Sequence, residues 1–204
     1  MTMADLEKLK QNLQKNGFEV THFATAAQAA DYLDGQIDGK TVGVGGSITV
    51  LEMGLAERLR THNTLHWHWT GDGDQAAAAT CQVYLSSVNG AAETGELINI
   101  DGNGNRVAAL IYGPQRVIVV AGVNKIVRNL EEAISRVKYV AAPANGVRLG
   151  TNTPCSHTGR CAQCEGGMTA GCASEKRMCC QYVVTGYQRT DRIRVVLVGE
   201  ELGY

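Results

Sequence analysis

Residues 41–52 read TVGVGGSITVLE. The short apolar run from Thr41 to Val44 meets Gly45, Gly46 and Ser47, and Leu51, Leu55 and Leu59 then recur along one stripe. Strand, glycine turn and helix in that order form the βα unit of a parallel sheet. That unit assigns the chain to the α/β class, with a mostly parallel sheet flanked by helices. The turn falls at the C-terminal end of a strand, where open α/β sheets bind ligands. Gly45 and Gly46 let an anion approach the backbone, and Ser47 supplies a helix cap or a ligand hydroxyl.

Working outward, Leu6, Leu9 and Leu13 mark an amphipathic helix over Asp5 to Asn16, stopped by Gly17. Phe18 to Phe23 reads as a strand, and Thr25 with Gln28 is a capping box for a helix through Leu33. Leu65, Trp67 and Trp69 alternate with His66 and His68. The two histidines share a strand face, as metal ligands do, but no third ligand accompanies them and the tryptophans favour packing. Asp74 to Thr80 reads as a helix and Val83 to Leu85 as a strand. Leu97 to Asp101 and Arg106 to Ile111 flank Gly102-Asn103-Gly104-Asn105, a hairpin signal because Gly and Asn tolerate positive φ. Val117 to Ala121 is a core strand, and Asn129 caps a helix to about Val137. Val183 to Tyr187 and Ile193 to Val198 close the chain as strands. The whole of 1–204 is expected to form a single domain that contains a cysteine-rich segment, 151–180.

Composition narrows the function. The chain has 204 residues, 44% of them hydrophobic, with 24 Gly and 3 Pro. Glycine well above the usual share of about 7% beside so little proline suits tight α/β turns, not disorder. A net charge of -1, from 19 basic and 20 acidic residues, argues against a nucleic-acid partner. No apolar run reaches the length of a membrane span, and the charged start lacks a signal sequence, so a cytoplasmic protein is expected.

Candidate site residues stand just past strand ends, where loops on a rigid scaffold carry function. Asn89 and Glu93 follow one strand, and Glu93 reads as a general base or nucleophile. Asn124 and Lys125 follow another, and Lys125 is suited to neutralising substrate charge or an enolate. The expected ligand is a small carboxylate or a phosphorylated substrate. Six of the seven cysteines fall at Cys155, Cys161, Cys164, Cys172, Cys179 and Cys180. Clumped at one end of an intracellular-looking chain, they indicate a metal or redox centre. The C-x2-C pair at Cys161 and Cys164 places two thiolates on one metal or cluster, and zinc, an iron–sulfur cluster or a redox dithiol all suit the set. Cys81 reads as a core residue.

Four segments together resemble the LUD family of lactate utilization proteins. They are GVGGSIT (43–49), NIDGNGNR (99–106), VVAGVNKIV (119–127) and the stretch from NTPC (152–155) to RMC (177–179). The resemblance implies a fold like that of ribose-phosphate isomerases, glucosamine-phosphate deaminases and CoA transferases. It implicates Gly45, Gly46 and Ser47 as the ligand loop and Asn89 and Glu93 as the polar strand end. It also implies a 4Fe–4S cluster, L-lactate or a similar 2-hydroxy acid as substrate, and other lactate-oxidation subunits as partners, with a homo-oligomer left open. The usual cysteine motif resembles Pro-Cys-x5-Cys-x2-Cys followed by Arg-x-Cys-Asn, which Cys155, Cys161, Cys164 and Cys179 match. Two departures stand out. Eight extra residues, Glu165 to Cys172, follow Cys164, and Cys180 replaces the Asn. Cys172 and Cys180 are therefore alternate ligands. The competing classes are a non-redox isomerase or acyl/CoA-transfer enzyme using Glu93 with structural zinc, and a redox-sensing accessory subunit.

Overall fold

The computed structural model describes residues 5–71 and 73–204. Its frame is a parallel sheet built from β1 (Glu19–Phe23), β2 (Thr41–Val44), β3 (Thr64–His66), β4 (Val83–Ser87), β7 (Arg116–Gly122) and β10 (Ile193–Val198). The spatial order is β1-β10-β7-β4-β2-β3, and every neighbouring pair is parallel. β7 and β10 read as near-continuous runs of Val, Ile, Leu and Ala because both of their faces are covered. Val120 pairs with Val196 on one side and with Ser87 on the other, which brings the C-terminal ends of β4, β7 and β10 to one edge.

Helices cover the two faces. On one, α2 (Ala26–Gln36), α3 (Ile48–Glu52) and α4 (Leu55–Arg60) bury Leu33, Leu55 and Leu59 with Trp67 and Val120. On the other, α1 (Leu6–Lys15), α5 (Gln75–Ala79) and α6 (Asn105–Ile111) bury Leu9, Leu13, Ala78 and Leu110 against Val117, Val119 and Val195. The stripe through Leu51, Leu55 and Leu59 is not one helix. Gly54, at φ +60°, turns the chain between α3 and α4 and leaves Leu51 exposed.

A smaller sheet caps the edge where the parallel strands end. It comprises β5 (Gly90–Ala92), β6 (Leu97–Asp101), β8 (Ile126–Val127) and β9 (Gln181–Thr185), in the order β8-β5-β6-β9. The expected hairpin over 97–111 is a correction. β6 pairs with β5 and β9, and 105–111 is a helix. Asp101 decides this, because its Oδ1 accepts the N–H groups of Asn103 and Gly104 and turns the chain into α6.

The helix capped by Asn129 runs well past Val137. α7 (Leu130–Arg136) leads into a π-helical turn, Val137–Ala141, and then α8 (Ala142–Leu149). The cysteine segment follows as α9 (Pro154–Thr158) and a series of turns, tied down by Cys161 N–H on the Lys138 carbonyl and Cys180 N–H on the Asp101 carbonyl. Among the described residues no helix is long and apolar enough to cross a membrane.

Candidate functional site

A cleft of about 430 Å³ opens at the C-terminal ends of β2, β3, β4 and β7. Gly46 and Ser47 enter it from the turn after β2, His68 and Trp69 from beyond β3, Ser87 and Asn89 from β4, and Lys125 from the turn after β7. The cleft thus lies where an all-parallel sheet places its ligands.

Lys125 is the cation at the cleft floor. It is 3% exposed, and its Nζ donates to Thr49 Oγ1 and Ser87 Oγ, each at 2.8 Å. Burial, reinforced by the Arg136 and Arg106 charges, lowers its pKa to about 7. Its hydrogen-bond partners are hydroxyls, and the Glu52 charge only partly offsets the burial, so the ammonium gives up its proton near neutral pH.

Arg106 supplies a second charge that the sequence reading did not single out. Its guanidinium donates to Asn99 Oδ1 (2.6 Å), the Ile100 carbonyl (2.6 Å), Asn89 Oδ1 (3.1 Å) and the Ser87 carbonyl (3.3 Å). Asp101 Oδ2 stands 3.6 Å from Nε. With so many acceptors engaged, Arg106 organises the wall that carries Asn89 and itself borders the cleft. The signal for α6 lay in Val107 and Leu110, three apart as on a helix face.

Gly45 does not line the cleft. A Cβ there would stand 2.8 Å from the Tyr84 hydroxyl and 3.0 Å from Arg106 Cγ, so the glycine makes room for the arginine. At Gly46 a Cβ would meet the Trp69 ring at 3.2 Å. Ser47 Oγ accepts the Val50 N–H and caps α3 while it borders the cleft. Asn124 fixes the chain end beside Lys125, donating to the Gly203 carbonyl and accepting the Leu202 N–H. At the rim, Arg148 lies 4.5 Å over the Trp69 ring and donates to the Tyr204 hydroxyl at 2.7 Å.

Glu93 stands elsewhere. Its carboxylate accepts the Asp5 N–H at 2.7 Å and Lys8 Nζ at 2.9 Å, and its carbonyl accepts Asn12 Nδ2. The Asp5 N–H, then Lys8, holds its pKa below the usual carboxylate range. It anchors α1 and does not line the cleft. Cys81 is buried and its thiol donates to the Val83 carbonyl.

The cysteine segment folds around a second, small cavity. Cys155, Cys161, Cys172 and Cys179 line it together with Val137, Ala142 and Tyr182. Cys164 and Cys180 do not: the Cys164 thiol donates to the Cys161 carbonyl at 2.6 Å, and Cys180 is exposed. Lys138, 3% exposed, projects from the π turn and donates to the carbonyls of Gln163, Gly166 and Gly167. All seven cysteines are free thiols. Among the described residues, no three His, Cys, Asp or Glu side chains stand close enough to hold a metal ion.

The donor chemistry nevertheless suits an iron–sulfur cluster. Four cysteines line one apolar space, the Gln163 N–H points at Cys161 Sγ at 3.4 Å, and Thr153 Oγ1 lies 3.3 Å from Cys155 Sγ. Lys138 borders the same space and would offset the charge of thiolates holding a cluster there. Val137, Ala142 and Cys179 border both the cavity and the cleft, so one wall separates the two.

A family model described as LUD domain matches residues 6–198. The solved structure of a DUF162 family protein from Deinococcus radiodurans is similar at a TM-score of 0.57 and 18% identity, covering 95% of this chain and 96% of that one. That likeness shows the fold. No curated protein matches the chain.

Proposed function

The chain belongs to the LUD-domain family, related to lactate utilization, and on that premise we propose that it is an iron–sulfur component in the oxidation of L-lactate or a similar 2-hydroxy acid. The acid occupies the cleft and the cysteine segment holds a 4Fe–4S cluster. The observation that carries this reading is the shared wall: Cys179, Val137 and Ala142 face the cleft on one side and the cysteine cavity on the other.

Arg148, held by Tyr204 and Asn145 at the rim, attracts the carboxylate. Lys125 in its neutral form accepts the hydroxyl proton, oriented by Thr49 and Ser87. Conversion of a 2-hydroxy acid to the 2-oxo acid releases two protons and two electrons. The hydroxyl proton goes to Lys125 and the Cα proton to solvent, and a bound cluster would relay the electrons one at a time to a two-electron acceptor in another lactate-oxidation subunit.

Anaerobic loading with iron and sulfide, followed by calorimetry with L-lactate and pyruvate, tests the reading. The expected result is bound iron and sulfide together with saturable binding of a 2-hydroxy or 2-oxo acid, weakened at least about tenfold by Arg148→Ala, the loss of one charge-assisted contact. Protein that takes up zinc and no sulfide, or that binds neither acid, overturns it.

A further inference from the structure

Six cysteines compete for four places, and the fold separates them. Resting on the reading that this segment holds a cluster, we propose that Cys172, and not Cys164, is the fourth thiolate beside Cys155, Cys161 and Cys179.

The argument begins with the turn from Cys161 to Cys164. There the Cys164 thiol is spent on the Cys161 carbonyl at 2.6 Å, and its outer neighbour is the hydroxyl of Tyr139, a residue 43% exposed. Cys164 therefore does not line the cavity, whereas Cys161, whose Sγ receives the Gln163 N–H, does. The chain must then bring a different thiol back, and two sets of side-chain to carbonyl contacts bend it so that it does. Lys138 gathers the carbonyls of Gln163, Gly166 and Gly167 onto one ammonium, which folds the stretch after Cys164 back over the π turn. On the far side Arg177 donates to the Thr169 carbonyl at 2.5 Å and to the Cys179 carbonyl at 3.0 Å, which clamps the two arms of the loop together.

Cys172 lies between those clamps. Its neighbour Gly171 packs against the Arg177 guanidinium so closely that a Cβ would come within 2.7 Å of the central carbon. With no side chain at Gly171 the backbone passes close beneath the guanidinium, and Cys172 follows into the cavity it shares with Cys155, Cys161 and Cys179. Cys180, exposed and donating to the Arg177 carbonyl, stands outside with Cys164.

Two measurements on the full chain test the assignment. Iron and sulfide are counted after anaerobic loading of wild type, Cys164→Ala and Cys172→Ala, with circular dichroism of each unloaded protein to verify folding. Wild type and Cys164→Ala are expected to hold about four of each per chain, and Cys172→Ala to lose most of both. In parallel, loaded wild-type protein is alkylated anaerobically and its cysteines are mapped by mass spectrometry. This requires no variant to fold, and it is expected to label Cys164 and Cys180 while sparing Cys172. Loss of the cluster in Cys164→Ala, its retention in Cys172→Ala, or protection of Cys164 with labelling of Cys172 overturns the assignment. Wild-type protein that takes up neither iron nor sulfide instead overturns the cluster reading on which the assignment rests.

Discussion

Lys125 owes its behaviour to where β7 ends. Placed in water its ammonium would titrate near 10.4, but the turn after Gly122 sinks it beneath Thr49 and Ser87 and lowers that value to about 7. Between those limits the unfolded chain holds a proton that the folded chain has released. Stability from this residue is therefore present above the unfolded value and is lost as pH falls through about 7. Lys125→Met removes the buried charge and keeps the length of the side chain. Its melting temperature relative to wild type is expected to be highest near pH 6 and to decline steadily toward pH 10, measured by calorimetry across that range. A difference independent of pH would contradict the burial argument. Glu93 shows the opposite case. It too follows a strand end, yet the carboxylate meets the backbone of Asp5 and the ammonium of Lys8 and serves to fasten α1. A strand end nominates a residue, but only the neighbours brought by distant segments decide its use.

At the scale of the element, β2 and its following turn depend on glycine for space. A Cβ on Gly43 would stand 2.7 Å from the Ala78 carbonyl oxygen and 2.9 Å from both Cys81 Sγ and Tyr84 Cδ2. The backbone oxygen belongs to α5 and cannot step aside without it. Gly43→Ala is expected to cost about 1–3 kcal/mol in chemical denaturation, the range for overpacking. Gly35→Ala in α2, with nothing within 4 Å of its added methyl, is expected to gain a fraction of a kcal/mol. Equal effects at the two sites would remove the steric explanation. The same scale shows what could be read in advance. The apolar runs of β7 and β10 and the GGS turn declared a parallel sheet because burial on both faces leaves no polar alternation. The smaller sheet was less legible: Gly90 to Ala92 carries no pattern of its own, and it becomes a strand because Leu97 and Ile126 offer it partners. Gly102 to Asn105 read as a hairpin turn because the residues that open a tight β turn also open a helix. The choice fell to Val107, Ala109 and Leu110, which bury one face of α6.

For the whole molecule, the decisive arrangement is the junction of the parallel sheet, the helix from α7 to α8 and the cysteine segment. The spacing of the cysteines nominated the segment as a metal or redox centre, but its relation to the cleft was not legible. That relation depends on the π turn at Val137–Ala141, which sends Lys138 into the loop and lays Val137 and Ala142 between the two cavities. Such turns concentrate at functional sites in helices. Pro143 follows the turn without an N–H to donate back along the helix, and the Lys138 carbonyl accepts the Cys161 N–H instead. If cleft and cluster share this wall, charge bound on one side is felt on the other through a few side chains. The most direct test is the electron paramagnetic resonance spectrum of the anaerobically loaded, reduced protein titrated with L-lactate and pyruvate. The account predicts a saturable change in the cluster signal that Lys125→Met abolishes. A signal that stays unchanged while calorimetry registers the acid bound would contradict it.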